Sequence, residues 1–344
     1  MNFQRMFTTI DTHTGGNPTR TLISGLPPLQ GKTMSEKMLY MKEHYDWIRQ
    51  FLMNEPRGHS VMSGALLTDP CNENADIGVI FIETGGYLPM CGHDTIGCCT
   101  ALIESGLIEM EADTLYKEIK IDTPAGLVEV NVEIKDGKAK EVTFKNVASF
   151  LLKSIHVEVA EIGEVECDIA YGGNFYGLVD ARKIGLKLVE DNASQIIHKG
   201  IAIRNAVNAQ EEVVHPEYPF IQGLTHIEFY TDPRHPEADV KNTVVVPPGG
   251  IDRSPCGTGT CAKLATLFSE NNIEVKEKFV HESIVGTLFK ARVLEETKVE
   301  KYEAIIPEVT GSAWVMGLNR FYYNKDDELN RGFLLIPPMK DSSD

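Results

Sequence analysis

The sequence predicts a mixed α/β (α+β) protein built from two similar units, and three observations lead there. Residues 91–108 recur without gaps at 256–273, 165 positions later. Each copy follows an apolar, β-branched run, and each precedes segments in which apolar and polar residues alternate. A duplicated unit that switches from strand-like to helix-like periodicity and back is a mixed α/β pattern.

The repeat itself reads CGHDTIGCCTALIESGLI and CGTGTCAKLATLFSENNI, with identical pairs at Cys91/Cys256, Gly92/Gly257, Thr95/Thr260, Leu102/Leu267 and Ile108/Ile273. Upstream, Val79–Ile82 answers Val244–Val246 at the same offset, and the Gly-Gly pairs at 85–86 and 249–250 correspond one residue out of register. These runs read as strands ending in glycine turns. Inside the repeat, Ile96, Cys99, Leu102 and Ile103 recur at three- and four-residue spacing, with Gly106 as the stop. Cys261, Leu264, Leu267 and Phe268 do the same, ending near Asn271-Asn272. Downstream, Val128-Glu129-Val130-Asn131-Val132 alternates as a strand, and residues 134–138 form a hairpin turn. No Gly/Ser-rich linker separates the halves. The first unit is expected over 1–130, joined by a C-terminal segment at about 305–344, and the second over 131–304.

Composition narrows the function. Lys plus Arg number 33 against 50 Asp plus Glu, a net charge of 33 − 50 = −17, which repels nucleic-acid phosphates and anionic membrane surfaces. Apolar runs such as Val79–Ile82 fall far short of the ~20 residues that span a bilayer. The N-terminus shows no apolar secretory core, so a cytoplasmic protein is expected. Seven cysteines, an odd number with no CxxC pair, indicate free thiols and neither a disulfide scaffold nor a metal site. Gly85-Gly86 lacks the spacing of a dinucleotide site, and no Schiff-base lysine with a phosphate cradle is recognisable, so no cofactor is expected.

The chemical clue is the place of Cys91 and Cys256, each just before a helix start. A helix N-terminus carries partial positive charge and free N–H groups, which are expected to lower a neighbouring thiol's pKa and to bind a carboxylate. The N–H groups of Gly92 and His93, and of Gly257 and Thr258, would grip one substrate carboxylate from two sides. One thiolate would remove the α-proton while the opposite thiol protonates the other face.

At these residues the chain resembles a known family. Asp11-Thr12-His13-Thr14-Gly15-Gly16, Glu55-Pro56-Arg57-Gly58-His59, Met90-Cys91-Gly92-His93 and Asp252-Arg253-Ser254-Pro255-Cys256-Gly257-Thr258-Gly259-Thr260 resemble the proline racemase family, which includes 4-hydroxyproline 2-epimerases and 3-hydroxyproline dehydratases. The resemblance implies a diaminopimelate-epimerase-like fold, two pseudo-symmetric domains each with a sheet or barrel wrapped around a central helix, and a cysteine from each at the site between them. It also implies that His93 and Asp252 contact the ring nitrogen, and that a homodimer forms. The dehydratases resemble one another in replacing the second cysteine by Thr; Cys256 therefore favours racemisation or epimerisation. Proline racemases resemble one another in carrying bulky aromatics where this chain has Ser63 and Val246, and His226 resembles the pocket histidine of hydroxyproline epimerases. The expected reaction is epimerisation of trans-4-hydroxy-L-proline to cis-4-hydroxy-D-proline, with proline racemisation as the near alternative.

Plainer readings stand beside these. Asp252 also suits a loop brace, His93 a backbone contact and His226 a satisfied core position. His13, Arg20, Arg57 and His59 read as loop-positioning residues, and Cys98, Cys99 and Cys261 as packing thiols. A diaminopimelate epimerase is disfavoured by His93, since those enzymes resemble one another in having Asn after the Cys-Gly step. A non-catalytic imino-acid-binding protein and a thiol-redox protein complete the alternatives.

Overall fold

The computed structural model describes residues 4–111 and 113–335. Its chain path runs through one motif twice. Strands β1 (Arg5–Thr14) and β2 (Asn17–Ser24) form an antiparallel hairpin. Helix α1 (Met34–Met53) then crosses to β3 (Ser63–Thr68), which runs parallel to β2. Strand β4 (Ile77–Glu83) returns antiparallel and turns into β5 (Gly86–Leu88). Helix α2 (Gly92–Glu104) follows, and β6 (Tyr116–Thr123) comes back parallel to β4. The hairpin strands β7 (Gly126–Lys135) and β8 (Lys138–Lys145) turn at Asp136-Gly137.

After β9 (Ser149–Val159) the order repeats. It passes through the hairpin of β10 (Gly163–Tyr171) and β11 (Phe175–Asp180), then α3 (Ala193–Gln210). Strand β12 (His226–Thr231) is parallel to β11, and β13 (Val240–Val246) leads by way of β14 (Gly250–Ile251) into α4 (Gly257–Ser269). Strand β15 (Lys278–Glu282) is parallel to β13, and β16 (Leu288–Val299) and β17 (Tyr302–Gly311) follow. Finally β18 (Ala313–Tyr323) lies antiparallel on β1, as β9 lies on β10.

Strand β17 pairs with both β16 and β9, so the strands of the second motif close into a barrel around α4. It also pairs with β8, which joins that barrel to the strands packed around α2: β1, β2, β8 and β18. This is the predicted mixed α/β architecture with central helices. Every residue of α2 from Gly92 to Ile103 is buried, which explains its small and apolar composition; a helix surrounded by strands has no polar face to offer. Ile96, Cys99, Leu102 and Ile103 share one apolar core with Cys261 and Leu264 of α4, so the three extra thiols Cys98, Cys99 and Cys261 are packing residues. The helices α1 and α3 each cover an outer core of their own. Among the described residues, no helix is long and apolar enough to cross a membrane.

The structure shifts one sequence alignment. Helices α2 and α4 begin 165 residues apart, but β4 and β13 begin 163 apart. The turn after β13 is one residue longer than that after β4, and the approach to Cys256 is longer by one more. The counterpart of Val79 is therefore Asn242 and not Val244, a displacement that strand hydrophobicity alone hides.

Candidate active site

Both cysteines occupy the N-cap position of a central helix, Cys91 before α2 and Cys256 before α4. The two helices meet head to head at their glycines. A Cβ added at Gly92 would stand 2.7 Å from the Gly257 Cα, and one at Gly257 would stand 2.8 Å from the Gly92 Cα. Any side chain at either position would drive the helix ends apart. The unpaired N–H groups of both first turns thus converge on one place, where the two dipoles add.

The residue before each cysteine is pinned through its carbonyl by an asparagine. Asn174 donates to the Met90 carbonyl at 3.0 Å, and Asn242 donates to the Pro255 carbonyl at 2.7 Å. The two cysteines nevertheless differ in backbone. Cys91 is extended (φ −140°), whereas Cys256 has φ +63° and ψ 107°, a conformation that costs a non-glycine residue about 1–3 kcal/mol. Ser254 Oγ accepts from the Cys256 amide at 3.1 Å and helps to hold it.

Each thiol has a polar companion. Cys91 Sγ lies 3.4 Å from His93 Nδ1. On the other side of that ring, Asn17 Nδ2 reaches His93 Nε2 at 2.9 Å, and Asn17 Oδ1 accepts from the Arg253 amide at 3.1 Å. The Arg253 contact orients the amide so that, when the ring is neutral, Asn17 donates to Nε2 and the imidazole proton sits on Nδ1, aimed at the sulfur. Asp94 Oδ1 lies 3.3 Å from the same Nε2, placed to receive its proton when the ring is charged, and Ser63 Oγ donates to Asp94 Oδ2. Cys256 Sγ lies 3.3 Å from Tyr176 Oη, which also bonds Thr258 Oγ1 at 2.6 Å.

Burial sets the electrostatics. Cys91 and Cys256 are 5% and 6% exposed. Desolvation, with Asp94 adding to it, pushes the Cys91 thiol up to about 12 against the pull of His93. Desolvation and Asp252 push Cys256 well up too. This corrects the expectation of lowered thiol pKa values: the helix ends do act on the sulfurs, but loss of water outweighs them. Burial also opposes charge on His93, yet Cys91 and Asp94 together raise it well above its ordinary value, so imidazole and thiol ionise as a pair. Asp94 stays low despite burial because His93, Ser63 and Thr19 surround it. Burial raises Asp252, whose Oδ1 accepts from the Ser254 amide at 2.8 Å. Asp252 thus braces the Cys256 loop, as the plainer reading had it, while feeling the charge of His93.

Ser63 and His226 begin the matching strands β3 and β12. His226 stacks on Tyr176 (centroids 4.9 Å apart) and is held neutral, its pKa lowered by burial to about 3. Arg20 clamps Asp11 and donates to the Leu52 and Arg57 carbonyls, and Arg57 donates to the Phe51 and Leu329 carbonyls, so both arginines tie loops together.

Several residues of the site escaped the sequence reading: Asn17, Glu83, Asp94, Tyr176 and Arg204. Glu83 ends β4, and burial together with the nearby Asp94 carries its carboxyl up to about 8. Arg204 on α3 lies within electrostatic reach of Glu83 and of His226. One signal was available, since Gly15-Gly16-Asn17 recurs as Gly172-Gly173-Asn174 at the turns of the hairpins β1–β2 and β10–β11.

Known proteins share this chain's sequence and fold over nearly its whole length. The family model described as proline racemase matches residues 9–334. A proline racemase of Clostridioides difficile is 44% identical over 97% of this chain and 100% of its own length. A 4-hydroxyproline 2-epimerase of Streptosporangium roseum is 43% identical with the same coverage, 97% and 100%. The crystal structure of a hydroxyproline epimerase from Agrobacterium vitis with bound trans-4-OH-L-proline superposes with a TM-score of 0.92 at 32% identity, covering 97% of this chain and 96% of that one. With matched motifs, duplicated fold and full-length relatives in agreement, the chain belongs to the proline racemase family and is an isomerase of the racemase and epimerase type.

Proposed function

We propose that the protein epimerises trans-4-hydroxy-L-proline to cis-4-hydroxy-D-proline by passing the α-proton between Cys91 and Cys256, without a cofactor. The observation that carries this reading is the meeting of two cysteine-capped helix N-termini at Gly92 and Gly257. The substrate carboxylate lies on the N–H groups of Gly92, His93, Gly257 and Thr258, and its α-carbon between the two sulfurs. Asp252 and His93 face the ring nitrogen. In one direction a thiolate takes the α-proton: the C–H bond breaks, an S–H bond forms, and the electron pair moves toward the carboxylate, where the helix ends stabilise it. The opposite thiol then gives its proton to the other face of the carbon and is left as thiolate. Each turnover exchanges the roles of the two sulfurs, and the reverse reaction uses the same groups.

Because burial holds both thiols protonated, the thiolate needs a local counter-charge. His93 provides one for Cys91 through Nδ1, and the substrate's ammonium nitrogen provides a second. Enclosure also keeps water from the carbanion-like carbon.

The choice of hydroxyproline over proline rests on polarity around the ring. Ser63 and Val246 leave room where bulky side chains would close the pocket, and neutral His226, the raised carboxyl of Glu83 and Arg204 supply hydrogen-bonding groups. A site built to bond a hydroxyl discriminates strongly against a substrate that lacks it. The test is chiral chromatography of reduced enzyme with L-proline and trans-4-hydroxy-L-proline in parallel, scored by kcat/KM. Preference for hydroxyproline supports the reading. Preference for proline keeps the two-thiol chemistry and overturns the pocket argument, and inactivity on both overturns the whole.

A further inference from the structure

Behind Cys256 lies a polar cluster that the reaction scheme does not use. Glu228 on β12, Asn242 on β13 and His281 on β15 are fully buried, and they surround the first turns of α4. Four of their atoms have no hydrogen-bond partner within 3.5 Å among the described residues: both carboxyl oxygens of Glu228, Asn242 Oδ1 and His281 Nε2. Buried groups of this kind are costly unless paired. The nearest pair is Glu228 Oε1 and His281 Nε2, 3.6 Å apart. That gap is too narrow for a water between them and closes to a hydrogen bond with a small side-chain rotation.

The rest of the cluster leads to the catalytic loop. Asn242 Nδ2 donates to the Pro255 carbonyl at 2.7 Å, which fixes the orientation of that amide, and the same nitrogen lies 3.3 Å from His281 Nδ1. An amide nitrogen only donates, so Nδ1 is an acceptor; it also lies 2.9 Å from Thr260 Oγ1, and Thr260 Oγ1 reaches the Pro255 carbonyl at 3.3 Å. The ring proton of His281 therefore sits on Nε2, facing Glu228 Oε1, which can accept it whether or not the carboxyl is ionised. The carbonyl so held belongs to the peptide that enters Cys256, the cysteine in the left-handed conformation.

The repeat explains why a carboxyl stands there. The counterpart of Asp94 on α4 is Gly259, and a Cβ at Gly259 would collide with Glu228 Oε2. The first motif carries its buried carboxyl on the helix, whereas the second brings one in from the neighbouring strand.

We propose that Glu228 is a positioning residue for Cys256: its carboxyl accepts the Nε2 proton of His281, fixes the ring orientation through which His281 holds Thr260 and Asn242 at the Pro255 carbonyl, and so keeps the strained cysteine turn in place. The groups around it set its charge. Desolvation carries Glu228 up to about 8 and Asp252 adds to it, while Lys263 on α4 and Asn242 on β13 pull the other way. Burial, with Lys263, lowers His281 to about 3 and keeps it neutral. Ionisation of Glu228 at alkaline pH keeps the acceptor but sets a negative charge beside the Cys256 thiol, which disfavours its thiolate.

This inference rests on Cys256 being the reactive thiol, and its test reads that thiol directly. Alkylation of Cys256 by iodoacetamide is followed by peptide mass spectrometry from pH 7 to 10 in the wild type and in Glu228→Gln and Glu228→Leu. Gln keeps an acceptor toward His281 and carries no charge. It is expected to match the wild type within twofold at pH 7 and to alkylate at least threefold faster at pH 10. Leu removes the acceptor and is expected to change the Cys256 rate at pH 7 as well, by at least threefold. A Gln variant that follows the wild type at every pH overturns the proposal, even if the Leu variant fails to fold. Turnover of proline and hydroxyproline by the wild type is measured alongside, so failure of the assigned reaction is seen separately from failure of the Glu228 chain.

Discussion

Replacing Gly257 by Ala tests the geometry on which the chemistry depends. The new Cβ would stand 2.8 Å from the Gly92 Cα, 3.1 Å from Phe144 Cζ and 3.3 Å from the Gly92 carbonyl carbon. Ordinary carbon contacts lie at about 3.5–4.0 Å, so the helix ends must separate by roughly 1 Å. Two of the three obstructing atoms are backbone and cannot rotate away. Overpacking of this kind costs about 1–3 kcal/mol, of which the better helix propensity of Ala returns at most about 1 kcal/mol. A net loss near 1–2 kcal/mol is expected in urea denaturation. Activity is expected to suffer more, because a misplacement of about 1 Å between reacting groups costs on the order of 100-fold in rate. Gly92→Ala meets the mirror-image obstruction, with 2.7 Å to the Gly257 Cα, and should behave alike. Each single variant already forces the separation, so the double variant should lose less than the sum of the two. The assay is the initial rate of Cα-hydrogen exchange by NMR in 2H2O, with urea midpoints as the stability control. Either variant retaining activity within threefold of wild type, or a double variant with strictly additive losses, would refute the head-to-head account.

Other expectations follow from the same geometry. Cys91→Ala and Cys256→Ala should each lower epimerisation by at least about 1000-fold with little change in urea midpoint, since each removes an acid or base from the cycle. Tyr176→Phe removes the hydroxyl that joins Thr258 to Cys256 Sγ and should lower kcat about tenfold, read from steady-state kinetics. Stability should fall as pH rises above about 9. The buried thiols of Cys91, Cys98 and Cys167 are raised to about 12, so the unfolded chain loses those protons while the folded chain keeps them. Each thiol then removes up to about 1.4 kcal/mol per pH unit until its folded pKa is passed. Urea midpoints at pH 8, 9 and 10 measure this, and Cys167→Ala should flatten the slope.

Much of this molecule was readable from the chain. The Cys-Gly steps marked both helix starts because a duplicated motif repeats its functional landmarks at fixed spacing, and Gly106 (φ +71°) and Asp136-Gly137 stood where their conformations require them. The strand alignment slipped by two residues because apolar runs match one another in several registers, and loops absorb the difference. Asp94, Tyr176 and Glu228 stayed hidden for another reason. Each becomes informative only through a partner far away in sequence: Ser63 for Asp94, Cys256 for Tyr176, and His281 for Glu228. The direction of the thiol pKa shifts could not be read either, because local sequence reports the helix end beside each sulfur but not how completely water is excluded.

The most direct measurement of the two-thiol claim is the fate of the α-hydrogen in 2H2O. Trans-4-hydroxy-L-proline is incubated with the enzyme, and substrate and product are separated and analysed for deuterium at low conversion. Transfer between two sulfurs predicts deuterium at Cα of the product and none in the remaining substrate, because the acid on the opposite face is already exchanged with solvent while the removed proton leaves with the first thiol. Equal label in recovered substrate and product at the earliest times would contradict it, since a single group would then be serving both faces.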